Sequence, residues 1–286
     1  MMSHSVDQAY APSKIHQLKG LGMPKIKTAI NILRERGPLG LAKETVEWAA
    51  RSVGVGVSFG SYRPIHTGVE GTPIDFANVF ESIYKGNLWN SAESTSGPGS
   101  ELAYTAGYRR ELTAFLKEEK IASLFDAPCG DLNWIGEVIN TTGIYYIGGD
   151  ISQTAVKQAK QKRPELELRV FDICCDEFPN TDAWQCRDCL FHLSFFDIRR
   201  ALSQFIKSGT AYALITTNTA LYLRNVDIET GGCRYLDLER APINLPKPIH
   251  YLTDFTRGKD FPRYVGVWHR QQISDALKDT SWGMET

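Results

Sequence analysis

The sequence predicts an α/β fold in which helices cover both faces of a parallel sheet, because strand-like and helix-like segments alternate along the chain. Its main evidence is that three short apolar runs each lead into an aspartate. These runs cover residues 123–125, 145–149 and 168–171, and they end at Asp126, Asp150 and Asp172. The carboxyl ends of parallel strands form the ligand-binding edge of such a sheet. We therefore expect the three carboxylates to lie along one site.

The turn after the first run has features of a ligand-binding loop. Asp126 is followed by Ala127, Pro128 and Cys129, and then by Gly130, which lacks a Cβ atom and lets a ligand approach the backbone. Asp150 follows this turn by some twenty residues, the spacing at which a carboxylate commonly binds the hydroxyls of a ribose.

This turn has two alternative interpretations. A nicotinamide or flavin dinucleotide domain needs a G-x-G-x-x-G turn for pyrophosphate. This chain has one glycine there and an additional acid, Asp131, which would repel a pyrophosphate. An ordinary turn without a ligand is the second alternative, and the repetition of acid-ended strands argues against it.

Two motifs resemble a known family. The first is Asp-Ala-Pro-Cys-Gly-Asp at 126–131, and the second is Arg-Asp-x-Leu-x-His-Leu-Ser at 187–194. They resemble the class I S-adenosylmethionine (SAM) dependent methyltransferases, in particular a subgroup that often accompanies surface-polysaccharide genes. The resemblance covers roughly residues 80–270. It implies a Rossmann-like seven-stranded sheet with helices on both faces, and SAM as the cofactor.

The resemblance also implies where the cofactor lies. Asp126 and Gly130 would border the methionine portion, Asp150 the ribose, and Asp172 with Ile173 the adenine. The expected cofactor-binding residues are Trp89, Ser94, Ser96, Gly97, Asp126, Ala127, Pro128, Gly130, Asp150, Ile151, Asp172, Ile173 and Arg187.

The first four of these residues belong to a serine-rich stretch, residues 87–100, that resembles a segment preceding the first motif in the subgroup. Hydroxyls and free N–H groups in a turn can hold a carboxylate such as that of methionine. We expect Trp89, Ser94, Ser96 and Gly97 to close over the cofactor. The alternative is a flexible surface loop.

The tip of the fourth predicted strand, residues 182–187, supplies the catalytic candidates. A sugar hydroxyl is barely ionised at neutral pH, so a base must remove its proton, and histidine is the usual choice. His192 is the predicted base. Asp188 would orient it, bind an acceptor hydroxyl, or act as the base itself. The alternative for His192 is a packed, hydrogen-bonded core residue.

A long loop at 225–248 resembles a Gly-x-Arg-x-Leu-Asp-Leu segment of the subgroup and is predicted to wall the acceptor site. Arg234 and Asp237 are the predicted substrate-binding residues, able to bond sugar hydroxyls or a phosphate. The alternative is that they pair with each other to hold the loop.

The cysteines raise the question of a metal site. Cys174 and Cys175 with Cys186 and Cys189 would give four thiolates for zinc, but adjacent ligands are awkward, and buried thiols are the preferred interpretation. No metal ligand is therefore assigned. The sequence leaves open the alternative that Asp188 and another acid hold a catalytic divalent ion.

The N-terminal part differs from the rest. Residues 1–75 are predicted to form a helical extension and linker, with helices at 25–36 and 39–53, and residues 76–286 the methyltransferase domain. To residue 63 this extension has nine Lys or Arg and four acids, a balance of +5. Its helices would touch an anionic partner, pack on the main domain, or join two subunits as a homo-oligomer.

Composition limits the class of protein. The 286 residues are 42% hydrophobic and 23% charged, with a net charge of -1, so no overall field attracts nucleic acid. Neither a membrane span nor a signal peptide is evident, and six cysteines do not suggest a disulfide framework, so a cytoplasmic protein is expected.

Together these features predict SAM-dependent O-methylation of a sugar or glycan precursor. The alternatives are N- or O-methylation of another small metabolite, or a SAM-binding scaffold without activity. Nucleic-acid methylation is disfavoured because the strand tip lacks an Asn-Pro-Pro-Tyr sequence and no basic stripe marks a path for a duplex.

Overall fold

The computed structural model describes residues 75–219, 223–255 and 262–278, together with five isolated positions nearer the N-terminus, all helical. These positions are Pro38, Ala42, Thr45, Val46 and Ala49. The last four fall within the helix predicted at 39–53. The helix predicted at 25–36 and the linker up to residue 74 lie outside the described residues, so the domain boundary and the homo-oligomer remain predictions.

Seven strands form one sheet in the order β3-β2-β1-β4-β5-β7-β6. They are β1 (Ser123–Asp126), β2 (Tyr145–Asp150), β3 (Glu167–Val170), β4 (Ala183–Cys186), β5 (Tyr212–Asn218), β6 (His250–Phe255) and β7 (Arg263–His269). The first five strands are parallel, whereas β7 runs antiparallel to β5 and β6 antiparallel to β7. The parallel sheet predicted from the sequence therefore holds for five strands and ends in a reversed hairpin.

Between residues 75 and 278, the described ranges contain six α-helices that accompany the sheet. They are α1 (Phe76–Gly86), α2 (Leu102–Glu118), α3 (Gly136–Thr142), α4 (Gln153–Lys162), α5 (Phe195–Ser208) and α6 (Arg270–Leu277). Within the ranges that the structure describes, every helix falls short of the length and apolarity needed to cross a bilayer.

Side-chain caps define where three helices begin. The Asp75 carboxylate accepts from the N–H of Ala77 at 3.0 Å at the start of α1. The hydroxyls of Ser152 and Ser194 each accept a backbone N–H at 3.1 Å at the starts of α4 and α5. Each side chain satisfies a donor that has no partner within the helix.

The core consists of two apolar layers, one on each face of the sheet. Successive residues of β1 pack in opposite layers. Phe125 packs in the layer with α5 and α6, and Leu124 packs in the layer with α2, α3 and α4. Trp184 and Phe205 belong to the first layer, and Tyr108 belongs to the second. Helices on both faces are therefore confirmed.

Candidate active site

A cleft of about 670 Å³ opens at the carboxyl edge of the parallel strands. Ten of the predicted residues line this cleft: Trp89, Ser96, Asp126, Pro128, Gly130, Asp150, Ile151, Arg187, Asp188 and His192. A second cavity of about 390 Å³ contains Asp172 and Ile173 and shares Pro128 and Ile151 with the first. The two cavities are thus neighbouring parts of one site.

Asp126 lies at the end of β1 and is 2% exposed. Its carboxylate accepts from the Tyr146 hydroxyl at 2.7 Å and the Gln185 amide at 2.8 Å. Burial outweighs these bonds and raises its pKa to about 7. The neighbouring Ala127 is fully buried, and its carbonyl accepts from the Trp184 indole at 3.0 Å. Ala127 therefore holds the turn in place behind the cleft.

Asp150 lies at the end of β2 and is bound to the glycine turn. One carboxylate oxygen accepts from the Gly130 N–H at 3.0 Å, and the other accepts from the Ser152 N–H at 2.9 Å. Burial raises its pKa to about 6 despite these bonds. Gly130 has φ +61°, and a Cβ there would lie 2.3 Å from the Ser96 hydroxyl oxygen. Only glycine fits this close contact between turn and loop.

The serine-rich loop is ordered and is attached to the glycine turn by Asp131. The hydroxyls of Ser94 and Ser96 both donate to its Oδ1, at 2.8 and 3.0 Å, and the Thr95 N–H reaches Oδ2 at 3.3 Å. Lys162 adds an ion pair at 3.1 Å. These bonds argue against the flexible-loop alternative for this stretch, and Asp131 is its anchor.

The four residues predicted on this loop occupy different positions. Trp89 and Ser96 line the cleft, whereas the buried Ser94 hydroxyl is directed to Asp131. Gly97 has φ +89°, and a Cβ there would lie 2.9 Å from the Trp89 Cβ. Gly97 therefore permits the close packing that positions the Trp89 side chain.

The second cavity brings together the predicted adenine residues. Asp172 lies in the turn after β3, and its carboxylate accepts from the Cys174 N–H at 2.8 Å. Phe76, Phe80 and Phe171 add aromatic surface to the same cavity as Ile173. The cavity thus offers apolar surface for a flat ring and one carboxylate for an amino group.

His192 is 8% exposed and lines the first cleft. Its Nδ1 lies 2.7 Å from the carbonyl oxygen of Gly232. Because a carbonyl only accepts, Nδ1 carries the proton and Nε2 keeps its lone pair. Burial lowers the pKa of His192 below its ordinary 6.5, so the ring is neutral at pH 7.

Asp188 belongs to a cluster of two carboxylates and two guanidiniums, Arg187, Asp188, Asp254 and Arg263. Asp254 is bound by Arg187 at 2.8 Å and by Arg263 at 2.9 Å, and Asp188 lies 3.3 and 3.2 Å from the same two guanidiniums. Arg187 also donates to the Gly99 carbonyl at 2.8 Å. The cluster joins the tip of β4, the serine-rich loop and the β6–β7 hairpin. Asp188 is therefore fixed by arginines, while Gly232 fixes the ring of His192.

Arg234 and Asp237 have other partners than predicted. The Arg234 guanidinium donates to the Leu193 carbonyl at 2.6 Å, and burial lowers its pKa to about 10. Asp237 is bound by Arg240 at 2.9 Å. The alternative that the two residues pair with each other is wrong. Arg234 holds the loop against the turn that carries His192, and Asp237 is outside the residues that line the two cavities.

The cysteines are free thiols, and burial raises the pKa of the Cys174 and Cys186 thiols. Cys174, Cys186 and Cys189 pack in one apolar layer of the core. Over the part of the chain that the structure describes, no three His, Cys, Asp or Glu side chains are grouped as metal ligands.

Several lining residues were not among the predicted site residues. They are Phe76, Phe80, Tyr84, Ser100, Cys129, Trp134, Phe171, Cys174, Cys189 and Leu193. Phe76, Phe80 and Tyr84 recur at four-residue intervals along α1, so the helical pattern itself carried a usable signal. Trp134 comes from the segment after the first motif, where the sequence offered no sign of its orientation.

Comparison with known proteins supports the fold. No protein-family model and no curated protein matches the chain. Magnesium protoporphyrin IX methyltransferase from Synechocystis PCC 6803 with bound SAH is 12% identical, with a TM-score of 0.51 over 68% of this chain and 97% of that chain. The same enzyme with bound SAM is 12% identical, with a TM-score of 0.50 over 70% and 99%.

A further solved structure is that of a Burkholderia thailandensis 1,6-didemethyltoxoflavin-N1-methyltransferase. It is 14% identical, with a TM-score of 0.48 over 74% of this chain and 96% of that chain. At such identities the comparisons with the Synechocystis enzyme establish a shared architecture. The chain has a seven-stranded, Rossmann-like fold like that of the Synechocystis methyltransferase, as the family resemblance implied.

Proposed function

We propose that this protein is a SAM-dependent O-methyltransferase whose acceptor is a hydroxyl group of a sugar or glycan precursor. The main support is one geometric relationship: carboxylates at the ends of β1 and β2 and after β3 line two neighbouring cavities, and His192 lies in the wall of the larger one. The fold shared with SAM-binding enzymes and the two sequence motifs support the same donor.

The chemistry of the cleft fits a cationic donor. Burial raises the pKa values of Asp126 and Asp150 to about 7 and about 6, so neither carboxylate has enough positive charge around it. A ligand with a sulfonium and an ammonium group would supply that charge near Asp126, and ribose hydroxyls would donate hydrogen bonds to Asp150. In this proposal Asp126, Gly130 and Ser96 border the methionine portion, Asp150 and Ile151 hold the ribose, and Asp172 and Ile173 meet the adenine.

The bound donor supplies a methyl group on a positively charged sulfur, so the protein must align the acceptor, exclude water and remove one proton. His192 would accept the hydroxyl proton at Nε2, while its Nδ1–H stays bound to Gly232. Asp188, held by two arginines, would accept a hydrogen bond from a second acceptor hydroxyl. Trp89 and Phe80 offer ring faces on which a sugar can pack.

The decisive experiment has two stages. Calorimetric titration with SAM and S-adenosylhomocysteine (SAH) tests donor binding, and labelled SAM then tests transfer to nucleotide-activated sugars, glycosides, other hydroxyl compounds and amines. Transfer to a sugar hydroxyl supports the proposal. Transfer only to a non-sugar metabolite contradicts the acceptor class, and SAM binding without any transfer favours a scaffold. Failure to bind either ligand contradicts the proposal as a whole.

A further inference from the structure

Helix α1 lies along both cavities. Phe76, Phe80 and Tyr84 recur every four residues and therefore share one face of the helix. Phe76 lines the smaller cavity, Tyr84 lines the larger one, and Phe80 lines both. The position of α1 thus decides how closely the whole proposed donor site is covered.

Glu81 binds this helix to the start of α4. Its Oε1 accepts from the Thr154 hydroxyl at 2.6 Å, and its Oε2 accepts from the Ser152 hydroxyl at 2.7 Å and the Thr154 N–H at 3.0 Å. Partial burial opposes ionisation, but bonds from Thr154 and Ser152 prevail and lower the pKa of Glu81 to about 2. Glu81 is therefore ionised at neutral pH.

Ser152 continues the connection into the site. Its hydroxyl donates to Glu81 while its N–H donates to Asp150 at 2.9 Å. The other oxygen of Asp150 accepts from the Gly130 N–H at 3.0 Å. One chain of hydrogen bonds therefore runs from α1 through Ser152 and Asp150 to the glycine turn.

We propose that Glu81 is a positioning residue for the donor, which holds α1 and Asp150 at the separation at which the site closes around the adenosine portion. This inference rests on the proposed function. Glu81 acts through Ser152 and Thr154 rather than by touching the ligand. A glutamine in its place would remove the negative charge and present an NH₂ group where one of the two oxygens now accepts hydrogen bonds.

The test uses SAH as the probe and the full chain. We expect Glu81→Gln to weaken SAH binding about tenfold in calorimetric titration, the effect of losing a charge-assisted bond. Thr154→Val removes one donor and should give a smaller loss. The matched control is Lys85→Met, because Lys85 pairs with the same carboxylate at 3.3 Å but is 67% exposed. That variant should bind SAH like the wild type.

A double-mutant cycle with Asp150→Asn separates positioning from a general loss of stability. If Glu81 acts through Asp150, the combined loss of affinity will be clearly smaller than the product of the single losses. Multiplicative losses, or an unchanged affinity in Glu81→Gln, would overturn the role of Glu81 alone. If the wild type does not bind SAH, the proposed function fails with it. Circular dichroism melts confirm that each variant is folded.

Discussion

The Nδ1 atom of His192 lies 2.7 Å from the carbonyl oxygen of Gly232, a residue forty positions later in the chain. This contact decides which nitrogen of the ring can serve as a base. It also explains why the loop at 225–248 matters for the site although Arg234 and Asp237 have structural partners.

The first prediction concerns this contact. An asparagine at position 192 can keep donating to Gly232 but has no basic nitrogen. We expect His192→Asn to lower turnover roughly 10²- to 10⁴-fold while the affinity for SAH stays nearly unchanged. Steady-state rates with an acceptor identified by the labelled-SAM assay, together with SAH calorimetry, measure the two effects. A loss of SAH affinity that matches the loss of turnover would make His192 a structural residue.

The second prediction concerns Gly130. An alanine there would adopt φ +61° and place its Cβ 2.3 Å from the Ser96 hydroxyl oxygen and 3.3 Å from that of Tyr84. We expect Gly130→Ala to abolish measurable SAH binding and to lower the free energy of unfolding by about 1–2 kcal/mol. The control is Gly107→Ala in α2, where a Cβ meets nothing within 4 Å. That change should raise the free energy of unfolding by about 0.5–1 kcal/mol in urea titrations. Equal behaviour of the two variants would contradict the close contact.

The third prediction concerns the charge cluster. Burial opposes ionisation of Asp254, but the guanidiniums of Arg187 and Arg263 that bind it prevail and hold its pKa below the ordinary value. We expect Asp254→Asn to lower the free energy of unfolding by about 3–5 kcal/mol, since it leaves buried positive charge uncompensated. Asp275→Asn, which breaks an exposed pair with Lys278, should leave the urea midpoint unchanged. A midpoint for Asp254→Asn close to that of the wild type would contradict this account.

The fourth prediction is a pH dependence. The pKa of Asp126 rises from 3.8 to about 7 on folding, mainly through burial, so the native state binds more protons than the unfolded state between pH 4 and 7. The free energy of unfolding of the ligand-free protein should therefore fall, relative to that of Asp126→Asn, as the pH rises through this window. Thermal melts of both proteins at pH 4.5 to 8 measure the difference.

The same shift predicts that SAM will raise the melting temperature more at pH 8 than at pH 5, because a cation favours the ionised carboxylate. A difference between wild type and Asp126→Asn that does not change with pH would show that Asp126 ionises normally.

Local patterns were enough to predict most of the fold. The apolar runs at 123–125 and 145–149 form β1 and β2 as expected, and the strand predicted at 182–187 lies at Ala183–Cys186. Strand β6 was not assigned because its segment follows a proline-rich loop and pairs only with β7 at the edge of the sheet. Edge strands depend on such distant pairing, which local patterns do not contain.

The candidate site was predictable where each residue follows its own strand. Asp126, Asp150 and Asp172 reach the two cavities because parallel strands end at one edge. The roles of Asp131, Glu81 and Asp254 were not predictable, since each depends on partners from other segments. Asp131 even lies in the first motif, but its function as an anchor appears only when the serine-rich loop is folded against it.

The antiparallel β6–β7 hairpin supplies Asp254 and Arg263 to the charge cluster and is the last part of the sheet to be synthesised. Because β7 runs against β5, its first residue, Arg263, lies near the cleft, and Asp254 comes from the strand just before it. Domains are synthesised from the N-terminus, so the parallel strands emerge from the ribosome before Asp254. A nascent chain ending before residue 250 would carry the motifs of the site with Asp188 as the acidic partner of Arg187, and the four-residue charge cluster would be complete only when the last pair of strands arrives.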